Sequence, residues 1–102
     1  MLDLIWIKEC VRKNDFYFSK HADMERQSDN LTVREIEEAL TAGRILERYG
    51  DTGRGESCLV VGVTETGKYI HIVCGQRGDV LVIITVYIPI PPKFKTPYER
   101  GK

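Results

Sequence analysis

Neither sign of charge is in excess in this chain: fifteen Lys and Arg balance fifteen Asp and Glu. That balance removes the broad electrostatic footprint by which a protein gathers a polyanion, and it leaves room only for a local basic patch. Cysteine is scarce as well. Cys10, Cys58 and Cys74 form no C-x-x-C pair, and an odd count suits free thiols in a reducing compartment. Cys58 and Cys74 fall inside β-type runs, where cysteine behaves as a small buried hydrophobe. Histidine is scarcer still. His21 and His71 have no Cys or carboxylate at ligand-type spacing, so no metal or other cofactor is expected. Long apolar runs are missing too. Leu2–Ile7 is too short to span a bilayer, and Asp3 and Lys8 flank it wrongly for a signal peptide. The expectation is a cytoplasmic protein with no membrane partner.

What is present suits one ordinary domain. A length of 102 residues, 42% of them hydrophobic, is enough for a single modest core. The pattern divides the chain into 1–43, mainly helical, 44–89, an antiparallel sheet, and 90–102, a Pro-rich tail. Lys68–Pro89 is the organising stretch. It holds two dense runs of β-formers, Tyr69–Cys74 and Val80–Ile88, around the hairpin punctuation Gly75–Asp79.

Upstream, Leu2–Lys13 reads as a helix with Leu4, Ile7 and Val11 on one face. Ile5, Trp6 and Cys10 broaden its apolar surface. Packing across the sheet is favoured for it, and Trp6 or Ile5 is the alternative contact for a protein partner. Asn14-Asp15 breaks the helix, and Phe16–Phe18 is a short strand at an edge. Ser19 can cap a helix over Lys20–Ser28. Thr32-Val-Arg-Glu35 is a capping box, in which Thr32 and Glu35 each satisfy an orphan backbone N–H. Val33, Ile36 and Leu40 form the buried stripe of the helix it opens, and Gly43 suits the left-handed position just past its end.

Arg44–Tyr49 and Cys58–Glu65 read as strands on either side of the loop Gly50–Gly55. A two-residue turn at Thr66-Gly67 would face Val63 with Ile70, Val61 with Ile72 and Leu59 with Cys74, all turned to the helices. Val82, Ile84, Val86 and Ile88 would join that core. Tyr69, His71, Thr85 and Tyr87 would then share the opposite, open face. The prolines after Pro89 keep the tail out of a central strand, extended over the surface. The fold class is α+β, with N-terminal helices on one face of a twisted, mainly antiparallel sheet of roughly four to five strands.

The open face carries the candidate chemistry. Cleaving RNA by attack of a 2′-hydroxyl needs a base, an acid for the leaving oxygen and a cation near the phosphate, with no metal required. His71, Tyr69 and Tyr87 could supply proton transfer and stacking. A half-buried strand histidine bonded to a neighbour is the plainer account of His71. His21 and Arg26 stand five apart on a short helix, offset in direction, and Arg26 can fork a phosphate as lysine cannot. Gly50–Gly55 lacks the GxxxxGK[ST] pattern of a phosphate loop, although Arg54 at its tip could touch a ligand. Lys93, Lys95, Arg100 and Lys102 of the tail could hold nucleic-acid backbone or serve solubility.

Several stretches together carry a resemblance. They are Phe18–Arg26 with its HAxxxR pattern at His21–Arg26, the helix from Thr32, Ser57–Gly62, the IHIVCG strand Ile70–Gly75 and the ITVYIP strand ending at Pro89. They resemble the bacterial domain of unknown function 4258 family over nearly the whole chain. That family is similar in fold to the RelE-type and motility quorum-sensing regulator toxins, and members often lie beside a gene for a small zinc-finger antitoxin. The resemblance implies a RelE-like domain acting as a toxin, a metal-independent endoribonuclease on mRNA held by that antitoxin. His21, Arg26, His71 and Tyr87 match its signature stretches as catalytic candidates, with Tyr69, Thr85 and Arg54 as substrate contacts. Ile90 and Phe94 depart from the pattern, which commonly has polar and Trp residues there. The alternatives are a non-enzymatic interaction module and a degenerate toxin that binds RNA without cleaving it.

Overall fold

Helix starts and stops follow local chemistry. In the computed structural model, which describes residues 2–51, 53, 55–91 and 94–101, α1 spans Leu4–Lys13. The Asp3 carboxylate caps it by accepting the Trp6 N–H at 2.8 Å, and Asn14 ends it in the left-handed conformation at φ 63°. The strand β1 (Phe16–Phe18) leads into α2 (Lys20–Ser28), capped by Ser19. The helix α3 (Val33–Ala42) opens on the expected reciprocal capping box of Thr32 and Glu35.

Five strands form the main sheet: β1, then β2 (Arg44–Tyr49), β3 (Ser57–Val63), β4 (Tyr69–Arg77) and β5 (Val80–Tyr87). Their spatial order is β1-β5-β4-β3-β2, with β1 parallel to β5 and every other neighbour antiparallel. The fold is therefore α+β with a mixed sheet. Among the described residues, no helix is long and apolar enough to cross a membrane.

One face of the sheet packs against the helices. Ile7, Cys10, Val11, Ile36, Ala39 and Leu40 meet Cys58, Val60, Ile70, Ile72, Cys74, Leu81, Ile83 and Val86 in one apolar cluster. Each fully buried Leu or Ile contributes about 1.5–3 kcal/mol against exposure, which makes this the principal source of stability. Ile5 stays exposed at 83%, while Trp6 is partly buried against the core.

Four details correct the sequence expectation. The β3–β4 turn has three loop residues, Glu65–Gly67, closed by Thr64 N–H to Lys68 O and Gly67 N–H to Thr64 O, both 2.9 Å. Gly67 has φ +85°, which suits a three-residue loop ending in a bulge. One residue more than expected reverses the facing of β3: Cys58, Val60 and Gly62 oppose Cys74, Ile72 and Ile70, and Leu59, Val61 and Val63 turn away from the helices.

The second correction lies in β5. A bulge at Ile84 of β5, opposite the step from Val73 to Cys74, lets Thr85 pair with Val73 and Ile83 pair with Cys74. Leu81 and Ile83 thus join Val86 in the core in place of Val82 and Ile84. Thr85 and Tyr87 keep the expected face beside His71.

The third concerns Gly43, which is extended (φ −84°, ψ 172°) and not left-handed. Its need is for space: a Cβ there would lie 2.6 Å from Val60 Cγ1 and 2.7 Å from the Ala39 carbonyl oxygen. Gly62 is tighter still, with a built Cβ 1.8 Å from the same Ala39 oxygen. The two glycines let α3 lie directly on β3. Fourth, Val33 is 38% exposed, and the buried stripe of α3 is Ile36, Ala39 and Leu40.

Beyond Pro89 the chain forms a small hairpin of β6 (Phe94–Thr96) and β7 (Glu99–Arg100). It anchors on the sheet face away from the helices through side chains. Phe94 is 1% exposed, and the Arg100 guanidinium donates to both Glu47 carboxylate oxygens at 2.6 and 2.7 Å. Arg44 lies over the Tyr98 ring, 4.4 Å from its centroid.

Candidate functional site

The face that carries His71 is not open. His71 is completely buried, because the hairpin closes over it: the Phe94 ring meets the imidazole edge-on at 4.3 Å, and Pro97 brings its carbonyl oxygen to 2.6 Å from Nε2. A carbonyl can only accept, so Nε2 carries the proton and donates. In the neutral imidazole Nδ1 is then an acceptor, and it faces the Tyr87 hydroxyl at 3.2 Å. The pairing is set by β-register, since His71 lies directly opposite Tyr87 across β4 and β5. Burial holds the Tyr87 phenol above its usual pKa, with Arg100 opposing and Glu47 and Glu25 adding to the rise. At neutral pH Tyr87 is therefore protonated, with its hydrogen directed at His71.

Tyr87 also faces solvent-accessible space. Two adjoining cavities meet at Tyr87 and Glu25. One, of about 320 Å³, is lined by His21, Met24, Glu25, Ser28, Asp29, Val86 and Tyr87. The other, of about 330 Å³, is lined by Glu25, Thr85, Tyr87, Ile88, Ile90 and Phe94. Together they form a cleft between α2, the end of β5 and the start of the hairpin. A larger cavity, about 860 Å³, lies elsewhere, between α1, α3 and the β3–β4 turn. It holds none of the candidate residues, and its Arg12 and Arg34 are paired with Glu9 and Glu38.

The cleft exists because β1 is short. It covers β5 only as far as Ile83, after which α2 takes over the strand edge. Ser19 donates its N–H to the Ile83 carbonyl at 2.8 Å and its hydroxyl to the Ile84 carbonyl at 3.0 Å. Glu25 Oε1 accepts the Val86 N–H at 3.1 Å, in place of a neighbouring strand. The other oxygen, Oε2, stands 3.2 Å from His21 Nε2. One carboxylate thus ties α2 to the sheet and orients an imidazole whose side chain is 70% exposed at the cleft mouth.

The structure brings His21, Thr85 and Tyr87 to this cleft and puts His71 directly behind Tyr87. Arg26 is directed elsewhere. Its Nε donates to Asp23 at 2.8 Å, its Nη1 to the Leu31 carbonyl at 3.3 Å, and its guanidinium lies 5.7 Å from the Phe18 ring centroid. It braces the connection between α2 and α3. Tyr69 stacks edge-on with Tyr98 at 5.8 Å, on the same face as His71 and outside the cleft. Arg54 lies outside the described residues. Among the described residues, no group of three or more His, Cys, Asp and Glu side chains could hold a metal ion.

Glu25 and Phe94 belong to the site and were not read as site residues from the sequence. The i,i+4 spacing of His21 and Glu25 was the available signal for the first. Phe94 gave none, because an aromatic after a proline run does not say which surface it will cover.

No curated protein and no solved structure matches the chain. A family model matches residues 18–88, a span that takes in His21, Glu25, His71 and Tyr87 and leaves out α1 and the C-terminal hairpin. On that match the chain belongs to the family described as Domain of unknown function (DUF4258).

Proposed function

We propose that the cleft between α2 and β5 is the active site of a metal-independent endoribonuclease acting on mRNA, the toxin of a bacterial toxin–antitoxin pair. The observation that carries this reading is the pairing of an exposed, carboxylate-oriented imidazole, His21 on Glu25, with a protonated phenol, Tyr87, in one cleft. His21 is accessible enough to take the proton of a 2′-hydroxyl, and Glu25 holds its ring in place at the cleft mouth. On substrate binding the single Tyr87 hydrogen turns from His71 Nδ1 to the phosphate or the leaving 5′-oxygen. His71 acts here through Tyr87, as a positioning residue. Met24 and Ile90, 62% and 63% exposed beside the cleft, offer apolar surface for a base or for the small zinc-finger antitoxin. The RelE-like relationship belongs to this proposal and rests on the sequence resemblance.

A second reading, a non-enzymatic binding module in the cytoplasm, is favoured by the charge of the cleft. Glu25 and Asp29 line it, and none of its described lining residues is Lys or Arg. A phosphate would meet carboxylates there unless cations arrive from outside, whereas a basic or apolar protein segment would not.

Inducing the chain alone in a bacterial host, beside a His21→Ala/Tyr87→Phe protein of equal abundance and thermal stability, separates the two. Growth arrest with loss of RNA integrity, abolished in the variant, supports the ribonuclease. Intact RNA and normal growth with abundant folded wild-type protein would leave the binding module.

A further inference from the structure

All three cysteines are free and buried, but they are not equivalent. Cys58 on β3 lies directly opposite Cys74 on β4, and their sulfurs are 3.9 Å apart in a shared S–H···S contact. Residues directly opposed in an antiparallel pair have Cα atoms about 4.5–5.5 Å apart, inside the window a disulfide tolerates. Closing the sulfurs to the ~2.05 Å of an S–S bond therefore needs side-chain rotation and no change of register. Cys10 is in a different place, on α1 near Asp15, where burial pushes its thiol up.

The two members of the pair also differ. Cys58 is the second residue of β3, and the positive field of Arg48 reaches it. Arg48 is itself exposed and donates to the Leu2 carbonyl at 2.6 Å. Either thiol can donate in the shared contact, so what separates them is the Arg48 charge, which favours ionisation of Cys58 against the burial that opposes it.

We propose that Cys58 and Cys74 are a thiol-oxidation site that forms an intramolecular disulfide with a small peroxide. The Cys58 thiolate attacks one peroxide oxygen, breaking the O–O bond to give a sulfenic acid and, after protonation, water. The Cys74 sulfur then displaces the sulfenic oxygen as a second water, closing the S–S bond. Two thiols give up two protons and two electrons, and hydrogen peroxide becomes two waters. Both residues are fully buried, so a water-sized oxidant can reach the sulfurs only through a local opening of the strand pair. The bond would staple the β3–β4 hairpin, the register of which sets His71 opposite Val61.

The test uses the reduced full chain and hydrogen peroxide, followed by denaturation, alkylation with iodoacetamide and mass mapping. The expected product is lighter by two hydrogens, alkylated at Cys10 alone and linked between Cys58 and Cys74. Dithiothreitol should restore all three alkylation sites, and the oxidised form should melt at higher temperature. Cys58→Ala and Cys74→Ser should each abolish the mass loss. If either variant fails to fold, the wild-type peptide map decides without it. A bridge through Cys10, or three alkylated cysteines after peroxide has oxidised the methionines, overturns the proposal.

Discussion

The two faces of the sheet are built on different principles. The helix face is aliphatic and continuous, filled by buried side chains from all three helices and from β3, β4 and β5. The hairpin face is held by directed contacts: a histidine between a carbonyl and a phenol, an arginine on a carboxylate, and aromatic rings edge to edge. The first kind of packing tolerates little change in volume. The second depends on single polar partners, so it responds to pH and to loss of one atom pair. That difference suits a stable scaffold on one side and a tunable site on the other.

The largest expected effect is on the helix face. Gly62→Ala puts a methyl group against the Ala39 backbone, and we expect a loss of about 3 kcal/mol in urea unfolding, global and two-state. A near-neutral result would mean that α3 can lift from β3, and the contrast between the faces would weaken.

On the other face, His71→Ala takes the Nε2 donor from the Pro97 carbonyl, removes one contact of the Tyr87 hydroxyl and empties the space beside Phe94. The expected cost is about 2 kcal/mol. Hydrogen exchange should show the loss concentrated in 94–100, with β3 and β4 still protected. Uniform loss of protection would show that the hairpin belongs to the same cooperative unit as the main core.

A smaller effect should follow pH. Arg100 holds the Glu47 carboxyl below its ordinary 4.5, helped by the Tyr49 hydroxyl and opposed by burial. Tyr49 itself is pushed up to about 12 by burial and Glu47. Glu47 has a depressed folded pKa, so its contribution is complete above about pH 4.5 and disappears as pH falls through the folded value. Hairpin protection in wild type should therefore drop below pH 4.5, whereas Glu47→Gln should begin lower and show little of that dependence. Equal acid profiles for the two proteins would assign the clasp no role.

The smallest effect belongs to the exposed ion pairs. Arg34→Ala breaks the Glu38 contact, in which the arginine side chain is 80% exposed, and should change stability by less than about 0.5 kcal/mol. A larger loss in a thermal melt would point to a structural role for the cavity between α1 and α3.

Local signals were legible because they act over a few residues. The capping box at Thr32–Glu35 and the Ser19 cap form as read, and so do the two β-runs, except that β4 continues through Gly75–Arg77 where a loop was expected. Parity was not legible. One extra residue in the 64–68 turn and one bulge at Ile84 reversed parts of two strands, because side-chain facing has a period of two. The site was legible by parts. His71 and Tyr87 were read as neighbours, but a buried His71 depends on Phe94 and Pro97, more than twenty residues away in sequence.

The α+β class, the helix caps and the sharing of one sheet face by His71 and Tyr87 were written in the sequence, as outcomes of hydrophobic period and capping chemistry. Only the tertiary structure decided which face was covered, that Arg26 braces α2 against the 31–32 connection, and that His21, Glu25 and Tyr87 share one cleft. The physical reason is range. Caps and periodicity are written in neighbouring residues, whereas a cleft depends on where α2 crosses a strand edge and where a tail comes to rest.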